Sequence, residues 1–246
     1  MSLSILVIPD THCEAGQNMD RADWIGKYIA DTKPTHVIHL GDLVEMASLS
    51  FHDLIKEADY EGDCASAYEF QDRMRENAGV AWNEAHRTIL VGNHEARIHR
   101  TLKDNPHLKG AIGLKDLGYG EYFNRVVDWS GGPGVAVYGG VRFAHFFQNR
   151  MGRAIGGVHH ARTILLNNHQ SSVCGHSHQL NYHSLPTPTG KHLHALVAGC
   201  CFTHHQDFAG QSNQTYWRGI AHLHDVRAGE YDLEMISIHR LKKAYK

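Results

Sequence analysis

The sequence predicts an α/β domain, on three observations. Short β-branched runs alternate with longer segments of helical period. The 246 residues, 42% of them apolar, can bury a substantial core. Chemistry-bearing residues recur just after the apolar runs, where an open α/β sheet gathers its loops. Leu3 to Ile8 reads as the first strand. Met19 to Ala30 has helical period, and Pro34 closes that unit before a strand over Val37 to Leu40. From Ala67 to Ala85 the positions Ala67, Phe70, Met74, Ala78, Ala81, Trp82 and Ala85 recur at three and four, which predicts one amphipathic helix inside a helical insertion over about 46–86. Thr88 to Val91 is strand again, and 104–134 has little pattern. Val135 to Tyr138 and Val141 to Phe147 predict a hairpin turned at Gly139-Gly140, followed by a helix over Ala154 to Asn168. Ser172 to Cys174, Leu180 to Leu185, Leu193 to Ala198, Gly219 to His224 and Tyr231 to Ile238 read as strands, with Pro186, Pro188 and Gly190 making one turn. The basic stretch His239 to Lys246 reads as a solvated tail on a single domain over 1–246.

A formal charge of -2 gives no global pull toward nucleic acid or acidic lipid, so any affinity for phosphate is local. The first apolar run is too short for a signal sequence and no basic segment precedes it. No stretch approaches the roughly 20 apolar residues of a membrane span. The cysteines, Cys13, Cys64, Cys174, Cys200 and Cys201, are odd in number and irregularly spaced. The expectation is a soluble protein of the reducing cytoplasm, with no membrane association and with Cys200-Cys201 packed beside the cleft. The anomaly is 22 histidines against 24 lysines and arginines, an excess that points to ligands.

The ordered motifs are Asp10-Thr11-His12, Gly41-Asp42, Gly92-Asn93-His94-Glu95, His145 in the second hairpin strand, and Gly175-His176-Ser177-His178. Singly they are weak. Asp and Asn after a strand are ordinary turn formers, and a lone histidine is more often a hydrogen-bonded core residue. His-x-His recurs at 192/194 and 222/224, but inside strand-like runs, where the spacing merely puts both rings on one face. The copy at 176/178 follows a strand and is flanked by Gly175 and Ser177, which leave room for a metal. The conjunction in order is the signal.

That conjunction, D-x-H, GD, GNHE, a histidine and GHSH, resembles the calcineurin-like metallophosphoesterase superfamily. The resemblance runs from residue 10 to about 178 by motif. It implies a four-layer sandwich of two mixed β-sheets flanked by helices, with two metals at the sheet edge. Carried over by position, Asp10, His12 and His178 would hold the first metal, Asn93, His145 and His176 the second, and Asp42 would bridge them. Three oxygen donors and four imidazoles, with no thiolate, suit two divalent ions, Mn in vitro and Fe, Zn, Ni or Co as alternatives. Two such ions less two aspartates leave a formal charge of about +2, which favours a phosphate and a hydroxide.

The expected reaction is therefore phosphoester hydrolysis by in-line attack of a metal-bridging hydroxide, with His94, outside the ligand set, protonating the leaving oxygen or stabilising it as a cation. Glu95 has two readings, a residue that orients His94 or an acid at the start of the following helix, and the second is preferred. The run after the motif, Arg97, His99, Arg100, Lys103, His107 and Lys109, has two readings, a phosphate contact or a solvated helix face; Arg97 is the favoured contact because it falls three residues after His94. Asn149 and Arg150, with His159, His160, His204 and His205, are candidate cleft residues from adjacency alone. The stretches GDLVEMAS and AHFFQN depart from the protein serine/threonine phosphatase pattern. The resemblance is to a compact stand-alone phosphoesterase of the bacterial and phage kind. The preferred substrate is a phosphodiester in a nucleotide, cyclic nucleotide or nucleic-acid end. A phosphomonoesterase on small phosphates is the alternative, and a metal-free protein-binding scaffold is the alternative of another class.

Overall fold

A computed structural model describes residues 2–51 and 58–246 of the chain. The first sheet contains β1 (Leu3–Ile8), β2 (His36–His39), β3 (His86–Leu90) and β4 (Arg125–Val127), all parallel, and adds β10 (Gly219–Arg227) and β11 (Glu230–Ser237) antiparallel, in the order β11-β10-β1-β2-β3-β4. The second contains β5 (Val135–Tyr138), β6 (Val141–Ala144), β7 (Ser172–Cys174), β8 (Leu180–Pro186) and β9 (His192–Ala198), in the order β5-β6-β7-β9-β8. Both are mixed sheets.

The period-two pattern of β1 explains how they stack. Ile5 and Val7 join Ile38, Leu40 and Leu90 against Phe143, Val173 and Leu196 of the second sheet, so this cluster lies between the sheets. Leu6 and Ile8 point the other way, into a cluster with α1 (Asp20–Thr32) and α2 (Tyr60–Ala78). On the far face of the second sheet, Ala144, Cys174, Ala195 and Val197 meet Ala161, Ile164 and Leu165 of α6 (His160–Asn168). Helix, sheet, sheet and helix make the four layers the motifs imply.

Several boundaries differ from expectation for identifiable reasons. The helix expected over Ala67 to Ala85 starts earlier, where Asp59 caps α2 by accepting from Gly62 N–H at 2.8 Å, and it breaks at Gly79, whose φ of 55° ends α2 before the short α3 (Val80–Glu84). Of the expected insertion, residues 52–57 lie outside the described residues. The helix expected from Ala154 begins only at His160; before it the chain makes a small turn closed by a bridge between Gln148 and Ala154. The stretch after His94 forms α4 (Ala96–Asp104), two 3-10 turns, the one-turn α5 (Tyr119–Tyr122) and the edge strand β4.

The basic tail expected to be solvated is a helix. In α7 (Ile238–Tyr245) Leu241 is buried, Tyr245 lies edge-on to Tyr28 of α1, and the Tyr245 hydroxyl donates to Asp31. Ile238, Leu241 and Tyr245 fall on one helical face, which covers α1 while the lysines face out. Among the described residues no helix is long and apolar enough to cross a membrane.

Candidate metal centre

The motif residues converge where β1, β2, β3, β6 and β7 end. His145 is no exception: β6 stops at Ala144, so His145 stands just beyond a strand end rather than within the strand. The loops are tied together by backbone hydrogen bonds. The N–H groups of Thr11 and His12 both donate to the Asp42 carbonyl at 3.0 Å, Gly175 N–H donates to the His145 carbonyl, and Cys201 N–H donates to the Asp10 carbonyl. Cys201 is buried in the core cluster beside these loops, as expected of a packing residue.

Two donor groups form. In the first, His178 Nε2 lies 3.2 Å from Asp10 Oδ2 and 3.1 Å from His12 Nε2. In the second, His145 Nε2 lies 2.8 Å from Asn93 Oδ1, 3.2 Å from His176 Nδ1 and 3.3 Å from Asp42 Oδ2. Asp42 Oδ2 is also 3.8 Å from His12 Nε2, which places one carboxylate oxygen between the groups. All seven sequence-predicted donors are brought together, and four of them, His12, Asp42, His176 and His178, have positive φ, between 40° and 70°. Non-glycine residues seldom occupy that region, and His and Asp are among those that tolerate it best.

The donor set fits divalent cations. His12 donates its Nδ1 proton to Glu45 Oε2 at 2.6 Å, and burial holds its pKa below the ordinary value, so a neutral ring turns its Nε2 lone pair toward His178. Asp10 Oδ1 is a buried carboxylate oxygen with no hydrogen-bond partner among the described residues. Burial disfavours charge on His145, yet the Asp42 and Asp10 carboxylates overcome it and push the pKa up to about 9. A field that strong is one a cation would occupy.

Two glycines are required by approach rather than by turning. A Cβ at residue 92 would collide with the Asp42 carboxylate, and one at residue 175 with the Asp10 carboxylate. Gly175 thus makes room for Asp10, not directly for a metal, and Gly92 is absent from the positive-φ residues.

Glu95 does not serve simply as a helix-start acid. Fully buried, it accepts from the N–H groups of Asp42 at 3.1 Å, Leu43 at 2.7 Å and Gly92 at 2.9 Å, and from the Tyr119 hydroxyl at 2.9 Å. It locks the loop after β2 to the loop after β3. A second acid, Glu45, was not singled out from the sequence; three residues after Asp42, it lies in an irregular segment. It binds His12 Nδ1, lies 3.2 Å from His94 Nδ1 through Oε1, and accepts from His94 Nδ1 through its carbonyl at 2.6 Å. The signal available was an acid following the Gly-Asp motif. His39 is a third such residue: neutral because burial lowers its pKa to about 3, it accepts from Gly41 N–H and meets Thr11 Oγ1, whose hydroxyl donates to the Leu43 carbonyl.

His94 Nε2 lies 3.8 Å from Asp42 Oδ2. Burial and Arg97 pull against its protonation, but Asp42 and Glu45 prevail and hold the pKa up to about 9. Arg97 is where its spacing places it, with Nη2 3.3 Å from His94 Nε2, while its Nη1 donates to the Glu45 and Met46 carbonyls. Of the rest of the basic run, His99 pairs with Asp128, and Arg100 lies over Phe51. Asn149 uses its side-chain oxygen to accept from Met151 and Arg153 N–H, and Arg150 is exposed. His160 is buried, 3.5 Å from Ser177, which sits between the candidate ligands His176 and His178.

The other His-x-His pairs stack within strands, as their spacing predicts. Glu234 joins His222 and His224, but both His222 nitrogens are engaged by Ser4 and Tyr28 hydroxyls, which disfavours a metal there.

Residues 3–190 match the family profile described as calcineurin-like phosphoesterase. No curated protein sequence matches the chain. Among solved structures, TT1561 of Thermus thermophilus is similar at 12% identity and a TM-score of 0.44, covering 96% of this chain and 99% of that one. A Vps29 double mutant from Entamoeba histolytica is similar at 12% identity and a TM-score of 0.42 over the same shares, and wild-type Vps29 of that organism complexed with zinc at 12% and 0.40. With three quarters of its length matched to the profile, and with the motif donors gathered at the strand ends, the chain belongs to the calcineurin-like phosphoesterase family.

Proposed function

We propose that the protein is a phosphodiesterase that uses two divalent metals, acting on a nucleotide, cyclic nucleotide or nucleic-acid end. The observation that carries the reading is the position of Asp42 Oδ2 between two donor groups, the arrangement a bridging carboxylate requires. Asp10, His12 and His178 would hold one ion and Asn93, His145 and His176 the other. When bound, such ions polarise the phosphoryl oxygens and bring the pKa of water down to about 7, manganese being the choice for assay in vitro.

The chain's own residues account for the rest. His94, its Nδ1 proton spent on the Glu45 carbonyl, presents Nε2 toward Asp42 and donates a proton there to the departing oxygen. Arg97 tempers the proton affinity of His94 rather than reaching for phosphate, since its guanidinium is committed to two carbonyls. Glu45 binds the His12 ring and faces His94, so its charge is offset by the proton that His94 holds.

The test is hydrolysis of bis-p-nitrophenyl phosphate, p-nitrophenyl phosphate and 2',3'- and 3',5'-cyclic nucleotides with added manganese, beside metal analysis of the purified protein. A preference for the diesters is expected. Preference for the monoester would transfer the reading to small phosphates, and a protein that takes up no metal and cleaves nothing would be a scaffold.

A further inference from the structure

Beside the second donor group the chain builds a small projecting hairpin that the hydrolytic chemistry does not explain. Two residues after His145, Phe147 and Ile155 pair through a 2.9 Å backbone hydrogen bond and are both buried in the core cluster under α6. From that base, Gln148 bridges Ala154, Asn149 N–H donates to the Arg153 carbonyl at 2.8 Å, and the turn closes at Gly152, with φ of 74°. The Asn149 side chain accepts from both Met151 and Arg153 N–H, so the tip is shaped rather than loose. What it displays is Arg150, Met151 and Arg153, all exposed, Met151 at 76%. Among the described residues neither arginine makes an ion pair. Among the described residues these three side chains make no hydrogen bond or ring contact either.

A second segment lies against this hairpin. Trp129, half-buried at the start of the Ser130–Gly134 loop, packs edge-on at 5.7 Å against Phe146, whose ring is 4.7 Å from that of the ligand His176. At Gly132 the same loop is close enough to Gln148 that a Cβ would stand 3.1 Å from its amide oxygen. The acid next to Trp129, Asp128, is taken up by His99 of α4 at 2.8 Å. One side of the metal centre thus combines a partly open indole, two uncommitted guanidiniums and an exposed thioether.

The geometry points to a binding surface for a single-stranded nucleic acid, on which Trp129 stacks a base and Arg150 and Arg153 hold phosphates flanking the one presented to the metals. Charge complementarity and the aromatic platform are what such surfaces combine, and they work without reading sequence. Five residues from His145 to Arg150 reach at most about 18 Å, which keeps the tip within a few phosphate steps of the centre along a strand. This inference rests on the phosphodiesterase reading and narrows its substrate to a polynucleotide.

The experiment is fluorescence anisotropy of the full chain with a labelled oligothymidylate of about twelve nucleotides, in EDTA to prevent turnover, over a series of salt concentrations. Replacing Arg150→Gln and Arg153→Gln together should reduce the slope of log affinity against log salt by about 1.4. Arg→Lys replacements at both positions should restore it. Trp129→Leu should weaken binding about 5- to 100-fold with the slope unchanged, and Trp129→Phe should recover most of the loss. Thermal melting confirms that each variant is folded.

Wild-type protein that binds the oligonucleotide no better than a mononucleotide, or variants that bind it as wild type does, would overturn the surface. So would wild-type sedimentation with phosphatidylserine vesicles that the paired Arg150→Gln and Arg153→Gln replacements abolish while leaving oligonucleotide binding intact. Wild-type turnover of bis-p-nitrophenyl phosphate with manganese is measured alongside. Its absence overturns the phosphodiesterase reading, whereas its presence with variant-insensitive binding overturns the strand surface alone.

Discussion

Replacing Glu95 with glutamine tests whether the centre is held by its neighbours or by its metals. The carboxylate accepts at Oε2 from the N–H groups of Asp42 and Gly92, and at Oε1 from Leu43 N–H and the Tyr119 hydroxyl, all between 2.7 and 3.1 Å. A glutamine keeps one oxygen. In its better orientation that oxygen retains the Asp42 and Gly92 donors, and Tyr119 can rotate to accept from the new NH2. Leu43 N–H then faces another donor in a buried site, at a cost of about 1–3 kcal/mol. The two retained bonds lose the strength that an ionised acceptor gives, about 1 kcal/mol each. The expected destabilisation is about 3–5 kcal/mol, a large share of the 5–15 kcal/mol usual for a folded protein.

Urea unfolding followed by tryptophan fluorescence, in EDTA so that metal binding does not contribute, should show the midpoint lowered by about 1 M or more with an unchanged slope. Manganese titration by calorimetry should show weakened uptake, because Asp42 and Asn93 lie on the two loops that Glu95 joins. A loss below about 1 kcal/mol with full metal affinity would refute the reasoning. It would mean that the loops after β2 and β3 hold each other without the carboxylate.

Other perturbations separate chemistry from support. His94→Gln should keep metal content while kcat falls about 100-fold or more on substrates with poor leaving groups and little on p-nitrophenyl esters; equal losses on both would remove the acid role. Gly175→Ala should lower metal affinity sharply, since its Cβ displaces the Asp10 carboxylate, and calorimetry showing wild-type affinity would contradict the close approach. Leu241→Ala should cost about 2–4 kcal/mol in urea unfolding, against almost nothing for a solvated tail. Burial, and then His224, lower the His222 pKa to about 4. The folded protein then binds fewer protons than the unfolded chain between about pH 4 and 6.5, so this stabilising term is complete above 6.5 and is lost as pH falls toward 4. After allowance for solvent screening the term is about 2 kcal/mol. Unfolding curves of wild type and His222→Gln should converge by that amount between pH 7 and 4.5, and parallel pH profiles would refute it.

What was legible in the sequence follows from what periodicity encodes. Each of the seven donors follows an apolar run, and a parallel sheet delivers such positions to one edge, so the donor set could be read in order. Glu45, Glu95 and His39 act through contacts between loops, which no spacing records. Glu95 is visible as part of GNHE, yet its partners, four N–H groups and Tyr119, lie up to 53 residues away. The edge strand Arg125–Val127 is too short to alternate recognisably. The C-terminal helix was legible in principle, because Ile238, Leu241 and Tyr245 repeat at three and four; five basic side chains in the same stretch masked them.

The positive-φ ligands connect these loop contacts to function. His12, Asp42, His176 and His178 together store several kcal/mol of backbone strain at about 1 kcal/mol or more apiece. Metal binding could hold them there, but so can the polar contacts already present in the protein. Glu95 fixes the N–H of Asp42, Glu45 orients the ring of His12, His39 and Thr11 join the loops after β1 and β2, and Asp10 Oδ2 accepts from His176 N–H at 2.7 Å. Each of these contacts acts on a strained candidate ligand or the loop that carries it. These contacts can meet the strain during folding, in which case metal affinity need not be spent on shaping the site, and Glu95→Gln is the test of that division. The residues around the candidate ligands would then bear on how tightly metal is held.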